Sequence, residues 1–216
     1  MPLITALTPH PRRAGRVDVM VDGKPAGSVP VEAVSHLGLR VGAEFGPLRA
    51  AVESEAAALA LWDRATGLLA ARARSRTELQ RALARREAPA AMVERVLERL
   101  ERAGYIDDAE FARQFARSRA LVRGMSRRRV QQELARRGVP REVAEPAIAE
   151  VFADEAVDEY AAVERLARKK LPSLARLDAF ARRRRLYAFL ARRGFEADDI
   201  QRVLAALGET GALEDG

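Results

Sequence analysis

The sequence predicts a mainly α-helical protein: an elongated array of three tandem three-helix repeats, preceded by a small N-terminal β-hairpin. Three observations support this fold class. A 16-residue segment occurs three times, a longer Ala-rich amphipathic segment precedes each copy, and only the N-terminus shows the alternation and Asp-Gly turn of a hairpin. Repeats of about 50 residues usually stack as arrays because each unit buries its apolar face on a neighbour. A single helical bundle is the alternative.

The recurring segment aligns without gaps as RSRTELQRALARREAP from Arg74, MSRRRVQQELARRGVP from Met125 and ARRRRLYAFLARRGFE from Ala181. Each copy carries an apolar pair at i and i+4, which indicates one helix face turned toward a core. These pairs are Leu79/Leu83, Val130/Leu134 and Leu186/Leu190. Basic residues also align, in the sets Arg76/Arg127/Arg183, Arg85/Arg136/Arg192 and Arg86/Arg137/Arg193.

Each copy is predicted to be the middle helix of its repeat. The preceding helices are expected near 52–71, 108–122 and 154–170, and the following ones near 91–102, 141–152 and 197–207. The resulting domains are an N-terminal hairpin with a short helix (1–47), three repeats (48–104, 105–153 and 154–208) and a disordered acidic tail (209–216).

The N-terminal piece, residues 14–45, alternates around Asp22-Gly23, a strong signal for a two-residue hairpin turn. A short helix is expected at 31–37, with His36 at its surface or packed rather than bound to a metal.

The joint between the first two repeats contains the structural motif ERAGYIDDAEFA. Gly104 suits a helix C′ position, and Asp107 with Glu110 fits a capping box. We expect Tyr105, Ile106 and Phe111 to seal this joint. The adjacent Asp107 and Asp108 could suggest a metal site, but no third ligand is close in sequence, so capping is favoured.

The charge is basic and unevenly distributed. The net charge is +7, and only three of the 38 basic residues are lysine. Residues 113–141 hold ten arginines and one acid, and residues 165–193 hold eleven basic residues and one acid, whereas acids collect between these blocks. A GC-rich genome would raise arginine everywhere, so this partition favours a basic binding surface over a merely solvated one.

Helical geometry then selects the candidate contacts. Residues opposite the apolar pairs project outward, and these are Arg128, Arg129 and Arg136 in the second copy and Arg184, Arg185 and Arg192 in the third. Arginines at a helix N-terminus could also bind an anion together with the free N–H groups of the first turn. Neutralisation by carboxylates of the chain itself, for instance from residues 154–164, is the alternative. The candidate partner- or nucleic-acid-binding residues are Arg127, Arg128, Arg129, Arg136, Arg183, Arg184, Arg185, Arg192, Arg81 and Arg85; Arg137 and Arg193 lie nearer the core edge.

Several function classes are disfavoured. The chain has no cysteine and only two histidines, and it contains no Gly-rich phosphate loop and no nucleophile–base set in a plausible context. We therefore expect a binding protein without catalytic, metal or cofactor sites, cytoplasmic because no apolar run or signal peptide is present, and monomeric.

These motifs resemble the RecX family, regulators of the RecA recombinase. The resemblance lies in GYIDD-x-x-FA (104–112), RGMSRRRVQQELARRGVP (123–140) and RRRRLYAFLARRGFEADDIQRVL (182–204), with Gly138 and Gly194 in the RRG elements. It implies three three-helix repeats that bind the groove of the RecA–single-stranded DNA filament and bridge protomers. It also implies restraint of filament growth, ATP hydrolysis, strand exchange and SOS repressor cleavage, hence roles in DNA repair and recombination, with direct DNA binding by some members.

Two other functions stay open. A stand-alone nucleic-acid-binding protein would contact single-stranded, or alternatively double-stranded, DNA through phosphates, with steep salt dependence and no need for RecA. The aromatic residues beside the basic blocks, Tyr187 and Phe195, are expected to pack, which argues against base readout. The third possibility is a scaffold for an acidic protein unrelated to DNA.

Overall fold

The computed structural model of the chain describes residues 1–85 and 88–214, with side chains described through Gly208. Arg86, one of the aligned basic residues, and Glu87 lie outside the described residues, as do the last two residues of the tail. The chain forms two compact units. One comprises Met1–Arg74 with Glu78–Ile106, and the other comprises Ser75–Thr77 with the chain from Asp107 onward.

The N-terminal element is a three-stranded antiparallel sheet rather than a bare hairpin. Strands β1 (Ile4–Pro9), β2 (Arg16–Val21) and β3 (Lys24–Pro30) lie in the order β1-β2-β3. The predicted β2–β3 hairpin is confirmed, and its turn residues Asp22 and Gly23 have φ of 49° and 76°, which suits a two-residue hairpin turn. Strand β1 was not predicted from the sequence.

The remaining elements are helices. They are α1 (Val31–His36), α2 (Arg49–Ala71), α3 (Arg76–Ala84), α4 (Ala90–Arg102), α5 (Asp108–Arg117), α6 (Arg127–Arg136), α7 (Arg141–Asp154), α8 (Glu159–Lys170), α9 (Ala179–Ala191) and α10 (Ala197–Glu214). A π-helical turn, Ser118–Val122, extends α5, and a 3₁₀ turn, Leu171–Leu174, extends α8. The mainly helical fold with three helices per repeat is therefore confirmed.

Two predicted boundaries are wrong. Residue 154 ends α7 instead of starting the third repeat, whose first helix begins at Glu159 after the N-cap Asp158; the Asp158 carboxylate accepts the N–H groups of Tyr160 and Ala161. At the C-terminus, α10 continues to Glu214, so the segment predicted as a disordered tail is helical up to that residue.

Each repeat has its own apolar core, and all three predicted i,i+4 pairs lie in one. Leu79 and Leu83 are fully buried in the first, Val130 and Leu134 in the second, and Leu186 and Leu190 are 2% and 0% exposed in the third. Burying a leucine side chain contributes about 1.5–3 kcal/mol. These pairs therefore fix which face of each middle helix is left for solvent.

In the first unit, Asp63 of α2 links the helix to the N-terminal sheet. Its carboxylate forms ion pairs with Arg13 and Arg16, and Arg16 Nη1 donates to Asp63 Oδ2 at 2.8 Å. The hydrogen bond from Arg16, together with the charges of Arg16 and Arg13, holds the pKa of Asp63 below its usual value despite partial burial. The ion pairs of Asp63 with Arg13 and Arg16 therefore stabilise the packing of α2 on the sheet.

The predicted motif at the first joint is confirmed in part. Gly104 has φ of 73°, and the Asp107 carboxylate accepts the N–H of Glu110 at 2.9 Å. The Glu110 side chain accepts from Arg113 and Gln114 at 2.9 Å each, instead of from the Asp107 N–H as a capping box requires.

The three residues expected to seal this joint differ in their surroundings. Ile106 belongs to the core of the first unit and Phe111 packs on the core of the second, whereas Tyr105 is 55% exposed, with its ring edge against Trp62. The expectation that these three residues seal the joint stays a prediction. None of the described helices combines the length and apolarity needed to span a membrane.

Candidate functional site

The N-terminus of α6 is capped by the chain's own residues. Ser126 is the N-cap, 2% exposed, and its hydroxyl accepts the N–H of Arg129 at 3.2 Å. A carboxylate oxygen of Glu159, at the start of α8, accepts the N–H of Arg127 at 2.9 Å. The prediction that free first-turn N–H groups bind an external anion is therefore wrong here, because Glu159 supplies the carboxylate that the helix terminus favours.

The same arrangement occurs one repeat earlier, inside the second unit. The N–H of Arg76 donates to Asp108 Oδ1 at 2.8 Å, as that of Arg127 does to Glu159. Ser75, the counterpart of Ser126, is fully buried and donates its hydroxyl to a backbone carbonyl at 2.6 Å. In the described part of the chain, Ser75 and Ser126 are the only buried residues with polar side chains, at 0% and 2% exposed.

Both buried serines contact the RRG element of the following repeat. Ser75 Oγ donates to the carbonyl of Arg137, and the N–H of Ser126 donates to the carbonyl of Arg193 at 3.0 Å. The aligned serine, RRG and acid positions therefore form a repeated structural joint. This joint explains why the motif recurs without requiring an external ligand.

The α6 arginines are partly neutralised. Arg128 Nε lies 3.4 Å from Glu196, and Arg129 Nε lies 3.3 Å from Glu133. The Arg129 side chain is 27% exposed and its Nε is buried, so the expectation that it projects outward is wrong. The guanidinium group of Arg127 lies 5.0 Å from the ring centroid of Phe152, and Arg136 is exposed.

Helix α9 carries the α9 basic face, which we define as Arg184, Arg185 and Arg192, the residues opposite the buried Leu186 and Leu190. All three side chains are exposed, as is that of Arg183 on the same helix, and none of the four forms an ion pair with a carboxylate of the described residues. The one acid between 165 and 193, Asp178, is the N-cap of α9 and accepts the N–H of Ala181 at 2.9 Å. Arg184, Arg185 and Arg192, the outward arginines predicted for the third repeat, are thus exposed without internal neutralisation by the described residues.

Arg137 and Arg193 behave as predicted for residues at the core edge. The Arg137 guanidinium lies 4.9 Å from the ring centroid of Phe115, and that of Arg193 lies 3.9 Å from that of Phe189. Burial, with repulsion from Arg192, lowers the pKa of Arg193 below its ordinary value. Stacking and partial burial make both residues structural rather than part of the open surface.

The remaining candidates, Arg81 and Arg85, are exposed and belong to the first unit. One residue beside the α9 basic face was not predicted from the sequence. Phe180 lies on the first turn of α9 and is 75% exposed. It could have been found from its position, since it is about 120° around the helix from Leu186 and one turn from Arg184.

The fold and the site define a class: a tandem helical-repeat protein whose repeats join through buried, capped helix ends and whose last repeat carries an open basic face. The family models described as RecX first, second and third three-helix domains match residues 62–100, 107–148 and 157–204, which together make up more than half of the chain. The chain belongs to the RecX family.

Individual relatives agree with this assignment. Regulatory protein RecX from Pelodictyon phaeoclathratiforme is 37% identical over 148 residues, which cover 68% of this chain and 89% of that one. Regulatory protein RecX from Amycolatopsis mediterranei is 44% identical over 128 residues, covering 59% of this chain and 71% of that one.

Solved structures share the fold. A crystal structure of regulatory protein RecX matches with a TM-score of 0.75 at 20% identity, over 94% of this chain and 98% of that one. RecX from Lactobacillus salivarius matches with a TM-score of 0.57 at 17% identity, over 70% of this chain and 96% of that one.

Proposed function

We propose that this chain is a non-enzymatic cytoplasmic regulator of RecA, which binds in the groove of the RecA–single-stranded DNA filament and limits its recombinase, ATPase and coprotease activities. The single observation that carries the proposal is the α9 basic face, whose three exposed arginines have no carboxylate partner among the described residues. Membership of a family of regulatory proteins supports it. It acts in DNA repair, recombination and the SOS response.

Binding an external anion costs less free energy at an unpaired arginine than at one that already has a carboxylate partner. An arginine already paired with glutamate must lose that contact before it binds an external anion, whereas an unpaired guanidinium does not. Each phosphate bound by such a side chain releases condensed counterions, which makes the affinity depend on salt. The planar guanidinium also suits bidentate contact with phosphates or with carboxylates on an acidic protein surface.

The first experiment tests whether α9 carries the inhibition. Arg184→Gln with Arg185→Gln removes two charges from the α9 basic face. Arg12→Gln with Arg40→Gln is the control and removes two exposed charges from the N-terminal region of the first unit. The readout is DNA-dependent ATP hydrolysis by RecA assembled on single-stranded DNA, as a function of added protein.

The α9 double variant should need about 5- to 50-fold more protein for half-maximal inhibition, because two phosphate or carboxylate contacts are lost. The control variant should inhibit like the wild type. Circular dichroism should give the same helicity for all three proteins. Equal inhibition by the two double variants would remove the α9 basic face from the interface.

The second candidate function is direct DNA binding without RecA, which the unpaired arginines and the exposed Phe180 favour. Sedimentation of the protein with RecA filaments on single-stranded DNA, with free RecA and with bare DNA separates the two functions. Co-sedimentation with filaments well above that with bare DNA supports the regulator. Equal binding to bare DNA and to filaments supports the alternative.

A further inference from the structure

Phe180 is the most exposed aromatic side chain of the described residues. It is 75% exposed, compared with 55% for Tyr105 and 37% for Tyr160. Leaving a phenylalanine ring in water forgoes about 1.5–3 kcal/mol of burial, so neither helix propensity nor core packing accounts for this residue.

The ring is also uncovered, unlike other aromatic rings in the chain. Guanidinium groups lie within 5.1 Å of the ring centroids of Phe45, Phe115, Phe152 and Phe189. Within residues 1–85 and 88–214, Phe180 has neither a cation nor another ring against its face. Its π surface is free to receive a planar group.

Phe180 owes this position to an additional helical turn. Helix α9 begins at Ala179, one turn before Arg183, the residue aligned with the first residue of α6. At the position aligned with Phe180, the second repeat has Gly124, which is buried and would place a β-carbon 2.8 Å from Leu166 of the next repeat. The third repeat has no following repeat among the described residues to cover this end of the helix.

The surroundings of the ring are cationic. Arg183 and Arg184 follow Phe180 at i+3 and i+4, the spacings at which helical side chains are neighbours. Arg176 on the preceding loop is exposed as well. Asp178, the acid closest in sequence, is engaged as the N-cap of α9. The combination is therefore a bare aromatic face beside unpaired guanidinium groups.

We propose that Phe180 stacks on an unpaired base of single-stranded nucleic acid while Arg183 and Arg184 contact the adjoining phosphates. An aromatic platform beside a cationic track is what sequence-tolerant single-strand binding requires, because every base offers a π face and every nucleotide a phosphate. The charge selects this occupant over an apolar protein pocket, which would meet the guanidinium groups as well as the ring. The inference rests on the proposed function in taking α9 as the surface that meets the DNA of the filament.

The test measures DNA binding without RecA. Phe180→Leu keeps a large apolar side chain but removes the π face, and Phe180→Trp keeps a stacking ring. Each protein is titrated by fluorescence anisotropy against a labelled 15-nucleotide oligothymidine and against an abasic strand of the same length. The abasic strand retains the phosphates and lacks the bases, so the ratio of the two affinities isolates the contribution of stacking.

The wild type and Phe180→Trp should bind oligothymidine about 5- to 100-fold more tightly than the abasic strand, as expected for one stacked base. Phe180→Leu should bind the two strands equally. The slope of log affinity against log salt should be the same for all three, because the phosphate contacts remain. In Phe180→Trp, bound thymine should quench the emission of the new indole, whereas the native Trp62 of the wild type should be unaffected.

The proposal is overturned if Phe180→Leu keeps the wild-type preference for bases, or if the wild type shows no such preference. It is also overturned if Phe180→Leu loses affinity for both strands in equal proportion, which an apolar or structural role would produce. Inhibition of RecA by the wild type is measured separately, because it shows whether the proposed function holds even when the stacking role of Phe180 does not. A wild type that inhibits RecA without preferring bases refutes only the role of Phe180.

Discussion

Gly194 lies so close to Ser126 that a β-carbon at the glycine would stand 2.6 Å from the serine hydroxyl oxygen, and 2.6 Å from the β-carbon of Arg129. Gly194 also has φ of 86°, in the left-handed region that glycine adopts without strain. The RRG element is therefore fixed by two requirements at one residue, a helix-ending backbone conformation and a close approach between repeats.

Gly194→Ala should destabilise the protein by about 2–5 kcal/mol, through backbone strain of about 1–2 kcal/mol together with overpacking against Ser126 and Arg129. Gly104→Ala is the matched control. Gly104 also has positive φ, 73°, but a β-carbon there would meet nothing within 4 Å. It should therefore cost only about 1–2 kcal/mol. Urea unfolding followed by circular dichroism measures both, and equal losses would show that the close approach contributes nothing.

Glu159→Ala should lower the free energy of unfolding by about 0.5–2 kcal/mol, the usual cost of losing a helix cap, because the N–H of Arg127 loses its acceptor. Glu159→Gln keeps an acceptor oxygen and should recover most of this loss. Thermal unfolding of the two variants and the wild type measures the difference. Identical stability of Glu159→Ala and the wild type would contradict the role of this carboxylate as a cap.

Glu196→Gln should raise the affinity for single-stranded DNA by about 2- to 5-fold at low salt, since Arg128 loses its carboxylate partner at 3.4 Å and becomes available. Glu98→Gln on α4 changes the net charge equally at an exposed residue of the first unit. Anisotropy titrations should show the smaller effect for Glu98→Gln. The same gain from both substitutions would mean that net charge, rather than release of Arg128, sets the affinity.

The Asp63 carboxylate should make the stability depend on pH. Its folded-state pKa is lowered, so its ion pairs contribute fully above the unfolded value of about 3.9, and the contribution is lost as pH falls through the folded value. Asp63→Asn should therefore cost about 1–2 kcal/mol at pH 7 and progressively less as the pH falls below about 4. Urea midpoints of both proteins at pH 7 and pH 3 measure this, and a difference that is the same at both values would contradict it.

Local patterns predicted much of the fold. The i,i+4 apolar pairs predicted the three buried middle-helix faces, and Asp22-Gly23 predicted the hairpin turn, because both depend on residues close in sequence. Strand β1 was missed because no two-residue turn signal like Asp22-Gly23 joins it to its partner β2. The end of α7 was misplaced: the helix was expected to end at residue 152, but it continues through Asp154.

The candidate site was predicted less completely than the fold. Helical geometry alone makes Arg129 and Arg185 equivalent outward residues. In the structure Arg129 is half-buried beside Glu133, whereas Arg185 is exposed and has no carboxylate partner among the described residues. The distinction depends on which carboxylates lie nearby in space.

The sequence by itself determined the repeats, the buried stripe of each middle helix and the concentration of positive charge on the last two repeats, because periodicity and composition are properties of contiguous residues. Only the tertiary structure decided which of those charges are free. Glu159 of the third repeat accepts the N–H of Arg127, and Glu196 of the same repeat pairs with Arg128 at the start of α6. The arginines of the α9 basic face and Phe180 remain exposed to solvent. An ion pair requires two groups within a few ångströms, and such proximity between repeats is set by packing.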